Sequence, residues 1–537
     1  MSTFGSFTTV RLGVYAAQKG LDVTGNNITN INTPGYTRQR INQVSLIPSA
    51  ADRYASQYIN SVGQGALVTG ITQVRDIGLD LSYRNAMSDV GASNTTLAGL
   101  NSLANILDEV GKGSLDQDDG VLLRQLNDMR DLISKAAANG GDSTYDGLIR
   151  TSAQSLTGFF NSYADQLSNL NDTYTEKLNT QVDEVNEILK NIQNLNVAIR
   201  NSDIRGDAGL ELRDERNRQL DELSQYMKID VKYSTEDVGS GTMVEKLTIS
   251  LATGDKDVLV DGRYATQLSQ ELPNGGENTD HSLVLGPLVN DKGEMLDPNG
   301  TSSVLDEDDL YGSLQSLRDL LNGKGVFATD ADVQKDPNAS SKRGIPYYQK
   351  MLDSLAYEFA TTMNKLNNTG NTAGGAGNLF SMGSDTDDAS HITAANISVS
   401  HSWTNQAVSI QAATDASAPS GDTSNLAKFL AAFDQVREFD PAHVDADAAG
   451  SPYKGTFEDM LLKIQSTLAQ DQKSTDSVLN NYMVTADDIY MDREGVTGVD
   501  LNDEATNLMT YQKAYTAACR LLTVLEEAID SLINGTV

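Results

Sequence analysis

The chain has 537 residues, with 40 basic and 74 acidic side chains and a formal net charge of −34, and its isoelectric point is near 4.3. A surface this acidic excludes nucleic acid, whose phosphates need a basic face, and an anionic membrane surface repels it for the same reason. The length allows roughly three or four domains. A hydrophobic share of 39 % with a single tryptophan, Trp403, suits elongated helices and solvated sheets better than one large core. No apolar run approaches the ~18 residues of a membrane span.

In the first thirty residues Arg11 and Lys19 interrupt the apolar positions, and no secretory leader is recognisable. Phe7, Val14, Leu21 and Ile28 repeat every seven residues, with Val10, Ala17 and Ile31 on companion positions and polar Thr24 between them. Such a repeat predicts a coiled-coil seam, because side chains every 3.5 residues stay facing a partner. Gly13, Gly20 and Gly25 each weaken an isolated helix by ~1 kcal/mol, so this helix needs a partner to persist. The run Asn26-Asn27-Ile28-Thr29-Asn30-Ile31-Asn32-Thr33-Pro34-Gly35-Tyr36 then ends it, since Asn-rich sequence followed by Pro-Gly forces a turn. Arg40–Ile47 follows as extended chain.

Asp116, Asp118, Asp119 and Gly120 resemble part of a calcium loop. The glycine is misplaced, however, and Asn127 stands where a bidentate glutamate is required, so a helix cap is expected. From Leu156 through Phe160, Tyr163, Leu167, Leu170, Tyr174, Leu178, Val182, Val185, Leu189 and Ile192 the apolar steps are 3 or 4, which predicts a long helix with a stutter near Leu178. Over 228–303 the period changes to two: Leu247, Ile249 and Leu251 alternate with Thr248 and Ser250, and Asp261-Gly262 and Asn290-Asp291-Lys292-Gly293 supply turns. This predicts hairpins. The acids Asp306, Glu307, Asp308 and Asp309 precede a predicted helix, whose positive end favours them.

Leu352, Leu355, Phe359, Met363 and Leu366 mark another helix. Residues 370–422, rich in Gly, Ala, Ser and Asp, read as a small β insert or loop, with short extended runs at Ile392–Val399 and Ala407–Ile410. Phe457, Leu461, Ile464 and Leu468 open a further helix towards Tyr482. At the C-terminus Leu501, Leu508, Tyr515, Leu522 and Ile529 repeat every seven residues beside Tyr511, Ala518, Leu525 and Leu532. Asp500 or Asn502 is the expected cap, with acids in the first turn.

The ends are complementary in charge. Residues 1–60 carry Arg11, Lys19, Arg38, Arg40 and Arg53 against Asp22 and Asp52, whereas 500–537 carry six acids against Lys513 and Arg520. The two seams are therefore expected to pair, with the chain ends converging on one domain.

Chemistry is absent from the pattern. His281, His391, His401 and His443 lack ligand-like spacing, Cys519 is the only cysteine, and no phosphate loop, dinucleotide fingerprint or nucleophile elbow occurs. Among so many carboxylates no pair singles itself out as an acid/base couple. No catalytic, cofactor or metal residues are assigned.

Two segments, NNITNINTPGYTRQ at 26–39 and GVDLNDEATNLMTYQKAYTAA at 498–518, resemble the signatures of the flagellar rod/hook/hook-associated axial protein family. The matching residues of the first are Asn26, Asn27, Asn30, Asn32, Pro34, Gly35 and Tyr36. Length, the β stretch and the LDSLAYEFATTMNKLN helix look most like its hook-associated, hook–filament-junction branch. The resemblance implies a self-assembling structural subunit, not an enzyme and without cofactors, exported unfolded through the flagellar type III channel with no cleaved signal. It implies an extracellular place between hook and filament and a homo-oligomeric ring. The implied partners are the hook subunit, a second junction protein or the filament, and an export chaperone masking the stripe Leu501–Leu532.

The expected fold class is α+β, elongated and multidomain. A terminal domain combines 1–60 with 495–537, and a helical body combines 61–227, 304–369 and 423–494. Residues 228–303 and 370–422 are outward-facing inserts. The alternatives are a hook or distal rod subunit and, from another class, a flagellum-associated hydrolase.

Overall fold

A computed structural model describes residues 3–46, 65–107 and 120–534, apart from 240, 254–256, 274, 277, 308, 370–375, 416 and 449. The acids Asp116, Asp118 and Asp119 and the charges Asp52 and Arg53 lie outside the described residues.

The chain begins with helix α1 (Thr3–Thr29), then strands β1 (Gln39–Ser45) and β2 (Ala66–Gln73), an antiparallel pair running from Gln39↔Gln73 to Ser45↔Ala66. Helix α2 (Ile77–Leu107) leads towards α3 (Val121–Ala138), whose N-cap is Gly120. Next comes α4 (Thr144–Arg205), 62 residues long and therefore about 93 Å from end to end at 1.5 Å per residue. Every apolar position of the predicted stripe is buried except Leu170, which is half-buried. The stripe changes partners along its length: α3 and a later hairpin near the start, two later helices in the middle, a sheet and α5 (Leu210–Tyr226) near the end. Gly206 (φ +80°) ends α4, with the N–H of Asp207 reaching the carbonyl of Ser202. That left-handed cap would strain any side chain.

The period-two region forms a four-stranded antiparallel sheet of β3 (Ile229–Asp237), β4 (Met243–Leu251), β5 (Val258–Asp261) and β6 (Tyr264–Ala265). The short strands β7 (Leu268–Ser269), β8 (Val284–Leu285) and β9 (Ser303–Val304) form a second sheet. Leu247, Ile249, Leu251, Leu259 and Val260 are buried. Side-chain amides of α4 fasten this insert to the helix. Asn186 exchanges two hydrogen bonds with the backbone of Leu268 (2.8 and 2.9 Å), Gln193 donates to the carbonyls of Arg263 and Val289, and Asn196 donates to that of Gly262.

Helices α6 (Gly312–Asn322), α7 (Asp330–Lys335) and α8 (Ile345–Asn368) complete the middle. The acids Asp306, Glu307 and Asp309 precede α6, as expected, and Glu307 pairs with buried Arg318 of that helix at 2.7 Å. Within 370–422, strands β10 (Phe380–Met382) and β11 (Ile397–Val399), with the short α9 (His401–Thr404), form a small antiparallel β unit, one of the two forms read from the sequence, which packs inward rather than facing outward. Leu379, Phe380, Ile392, Ile397, Val399 and Trp403 join the main core. The Trp403 Nε1 donates to Asp146 on α4 (2.9 Å), and Asn161 of α4 donates to the carbonyls of Ala394 and Ile397. The irregular backbone here is satisfied by buried amides. Asn364 bonds the N–H of Leu379 and both backbone groups of Phe380, and Asn367 bonds Gly377 and Gln411. Buried backbone must be paired somehow, and side chains replace strand ladders in this stretch.

Finally α10 (Ser424–Asp434), the pair β12 (Arg437–Phe439) and β13 (Tyr453–Gly455), α11 (Phe457–Thr497) and α12 (Leu501–Asn534) return the chain to its start. A capping box of Thr456 and Asp459 opens α11, and Phe457, Leu461, Ile464 and Leu468 are buried. The result is an elongated α+β molecule.

Candidate assembly site where the chain ends meet

Helix α12 lies along α1. The buried residues of α1 are Val10, Ala16, Ala17, Gly20, Val23, Thr24 and Asn27, whereas Phe7, Val14, Leu21 and Ile28 are half-buried on their flank. On α12 Glu504 is buried, and Asn507, Tyr511, Ala518, Leu522, Leu525 and Ile529 are half-buried. Leu501 (52 % exposed), Leu508 (36 %) and Tyr515 (37 %) stay on the open side. The contact is thus rotated from the apolar ladder, because its first turns are made by Glu504, Asn507 and a glycine, residues that a hydrophobic pattern does not count. The side chain of Leu532 is not described.

The Asn-rich motif builds the end of this helix pair. The Asn30 amide donates to the Asn26 carbonyl and to its Oδ1, and Thr33 donates to Asn30. Thr33-Pro34-Gly35-Tyr36 then closes a turn, with the Tyr36 N–H on the Thr33 carbonyl (3.1 Å) and Gly35 at φ +77°. Pro second and a left-handed Gly third are the residues a type II turn demands. Asn32, Pro34 and Gly35 are exposed. Asn27 (1 % exposed) spans the turn: its Oδ1 accepts from the Gln39 N–H (3.0 Å) and the Tyr36 hydroxyl (2.8 Å), while Nδ2 donates to the Gln39 carbonyl (3.0 Å) and Glu504 Oε2 (3.2 Å). The Arg38 Nε donates to Glu504 Oε1 (2.8 Å). The two signatures therefore meet in one hydrogen-bonded knot. Asp500 caps α12, its Oδ1 accepting from the N–H of Asn502 at 2.7 Å.

Polar contacts hang this arm on the rest of the molecule. The Thr37 N–H donates to Asp214 of α5 (3.1 Å), Gln39 donates to Glu211 (3.1 Å), Gln73 to the Leu210 carbonyl, and the Arg38 N–H to the Thr497 carbonyl. Beneath lies an alternating charge chain. Arg75 bonds Asp80 (2.7 and 3.1 Å), Asp80 lies 3.7 Å from Arg493, Arg493 bonds Asp221 (2.7 Å), and Asp221 accepts from Arg84 (2.8 Å). The Arg493 guanidinium also covers the Tyr83 ring at 4.3 Å. Breaking a buried pair strands the remaining charge, so this chain fixes α2, α5 and α11 together. Burial pushes the Asp214 carboxyl above its ordinary range. Burial first, then the nearby Asp214, Glu211 and Glu504 carboxylates, push the Tyr36 hydroxyl well above its usual value. Sequence reasoning missed Asp214, Arg75 and Arg493; a run of charged residues on helices otherwise reads as a solvated face.

Among the described residues no three His, Cys, Asp or Glu side chains converge as a metal site, and no helix is long and apolar enough to cross a membrane. His281 is half-buried, and burial lowers its pKa; His443 faces Glu358 at 2.8 Å.

Residues 107–380, just over half the chain, match the family described as flagellar hook-associated protein FlgK helical domain. The chain belongs to this FlgK family. It is a family of structural flagellar proteins and not of enzymes. Residues 13–37, which end in the turn just described, also match the flagella basal body rod protein family. The flagellar hook-associated protein 1 of Bacillus subtilis (strain 168) is 25 % identical over 543 residues, covering 99 % of this chain and 98 % of that one. That of Salmonella typhimurium is 22 % identical, over 97 % and 98 % of the two chains. The flagellar hook junction protein FlgK of Burkholderia pseudomallei has a similar fold, with a TM-score of 0.52 and 13 % identity over 78 % of this chain and all of that one.

Proposed function

We propose that this chain is a self-assembling adaptor subunit that joins the flagellar hook to the filament. The observation that carries the reading is the arm itself. Both chain ends form one helix pair, and along it α12 leaves Leu501, Leu508, Met509, Tyr515, Leu521 and Val524 exposed. So many large apolar side chains left exposed on one helix support a contact with neighbours. Phe7, Val10, Val14, Leu21, Ile28, Leu522, Leu525 and Ile529 complete the assembly seam by binding α1 to α12, and Asn26, Asn27, Asn30, Asn32, Pro34, Gly35 and Tyr36 fix the turn that ends it.

In this reading 1–60 with 495–537 is the assembly domain, and 61–227, 304–369 and 423–494 form the body. Residues 370–422 pack on that body, and 228–303 is an insert clamped to α4. Subunits leave the cell unfolded through the flagellar type III channel without a cleaved signal, escorted by an export chaperone that covers the C-terminal stripe. They form a ring at the extracellular hook–filament junction, with the hook subunit on one side and a second junction protein or the filament on the other. Electron microscopy of a deletion strain tests this: the adaptor role requires hooks without filaments. Loss of the hooks as well would make the chain a hook subunit, and normal filaments would overturn the proposal.

A further inference from the structure

Glu504 is the one acidic group of the C-terminal signature that is fully enclosed, at 2 % exposure. Both carboxylate oxygens are engaged by partners from the other end of the chain: Oε1 by Arg38 and Oε2 by Asn27. Those partners stand on opposite sides of the 30–36 turn, so one carboxylate on α12 ties both legs of the turn together. The legs in turn carry the contacts to α5. Thr37, next to Arg38, gives its N–H to Asp214, and Gln39, bonded twice by Asn27, reaches Glu211.

We propose that Glu504 is a positioning residue that makes docking of the C-terminal helix the condition for ordering the 26–39 turn, and through it for locking the arm onto the body. The proposal rests on reading α1 and α12 as the assembly arm and adds how that arm is switched. With α12 docked, Asn27 and Arg38 have a charged acceptor and the turn holds Thr37 against Asp214. With α12 held away, by a partner that binds its apolar stripe, the Arg38 guanidinium, already 29 % exposed, turns to water and Asn27 loses one of its two acceptors. The turn loosens and the arm swings on its remaining links. Coupling of this kind is reciprocal, so disturbing the turn must also weaken the seating of α12.

Amide hydrogen exchange on the full-length chain tests both directions. Glu504→Ala should make the Thr37 and Gln39 amides exchange roughly tenfold faster or more, the factor expected when hydrogen bonds to a charged group are lost. Glu504→Gln, which keeps one acceptor oxygen for Arg38, should restore part of that protection. Arg38→Gln, which leaves α12 untouched in sequence, should speed exchange along α12 by a comparable factor. Should Glu504→Ala release α12 altogether, the turn amides must still accelerate, and Arg38→Gln supplies the reverse effect independently. Unchanged turn amides in Glu504→Ala, or unchanged α12 amides in Arg38→Gln, would overturn the proposal. None of these readings involves the lattice, so the filament phenotype of the deletion strain tests the assembly reading separately.

Discussion

The ring of Tyr511 closes over Gly20 so tightly that a Cβ on that glycine would lie 2.5 Å from the ring Cδ1. Real side chains do not approach so closely, and the glycine is what lets α12 settle against α1 at this level. In an isolated helix Gly20→Ala would stabilise by ~1 kcal/mol. Here the methyl group must push the ring away, and overpacking of this kind costs about 1–3 kcal/mol. Gly13→Ala is the control, because nothing lies within 4 Å of its Cβ position. Helical protection of the arm should fall in Gly20→Ala and rise in Gly13→Ala; a rise in both would mean that α12 does not sit on Gly20.

The open and closed sides of α12 separate by aspartate scanning. Leu508→Asp adds a charge on the exposed side, so monomer stability should change by less than about 0.5 kcal/mol while filament attachment is lost. Leu522→Asp places the charge against α1, where burial costs about 1–3 kcal/mol, and should release the arm in the monomer too. Thermal melting of the monomer beside the hook-to-filament ratio distinguishes them. Normal filaments with Leu508→Asp would remove that face from the assembly surface.

Alkali should undo the arm through Tyr36. Its hydroxyl has a folded-state pKa above the ordinary value of 10.0, so the folded form favours the proton. Its contribution is complete below pH ~10 and is lost as pH climbs towards the raised folded value. The ionised ring would leave a negative charge beside Glu504, Glu211 and Asp214. Asp214 acts at the other end of the scale: burial raises its pKa, so the fold as a whole gains stability as pH falls through that value towards 3.8, although the Thr37 hydrogen bonds favour the carboxylate. A tyrosinate absorbance titration should lose one late step in Tyr36→Phe. A Tyr36 that titrates with the exposed tyrosines would contradict this.

Trp403 tests whether 376–412 belongs to the core. Its ring is fully buried, meets Phe380 edge-on at 6.0 Å, and hydrogen-bonds Asp146. Trp403→Ala should cost about 3–5 kcal/mol, read as a lower denaturant midpoint for the body with the arm unaffected. An outward loop would lose almost nothing.

What could be read from the sequence follows from how each contact is made. The α4 stripe from Leu156 to Ile192 and the strand alternation around Ile249 are apolar contacts repeated at a fixed period, and both are visible without coordinates. The core part of the second insert was hidden because Phe380, Ile397 and Trp403 are widely spaced among Gly, Ser and Asp, and Asn364 and Asn367 replace strand ladders from far along the chain. The motif residues Asn26 to Tyr36 announced a turn, whereas the role of Asn27 depends on Glu504, 477 positions away. The rotation of the α12 contact was likewise illegible, since Gly20 and Asn507 carry no apolar signal.

The span between Arg38 and Glu504, 466 positions, also dictates when the arm can form. Closing so long a loop in a flexible chain costs about 5 kcal/mol in entropy, more than the ~1.5–3 kcal/mol that a hydrogen bond to a charged group returns. The ion pair cannot draw the ends together by itself. Once α2 and α11 lie side by side, however, the Arg38 N–H reaches the Thr497 carbonyl, and only a short connection separates that point from Glu504. The arm is therefore the last part of the chain to fold, and a newly made polypeptide keeps both ends open until its middle has condensed.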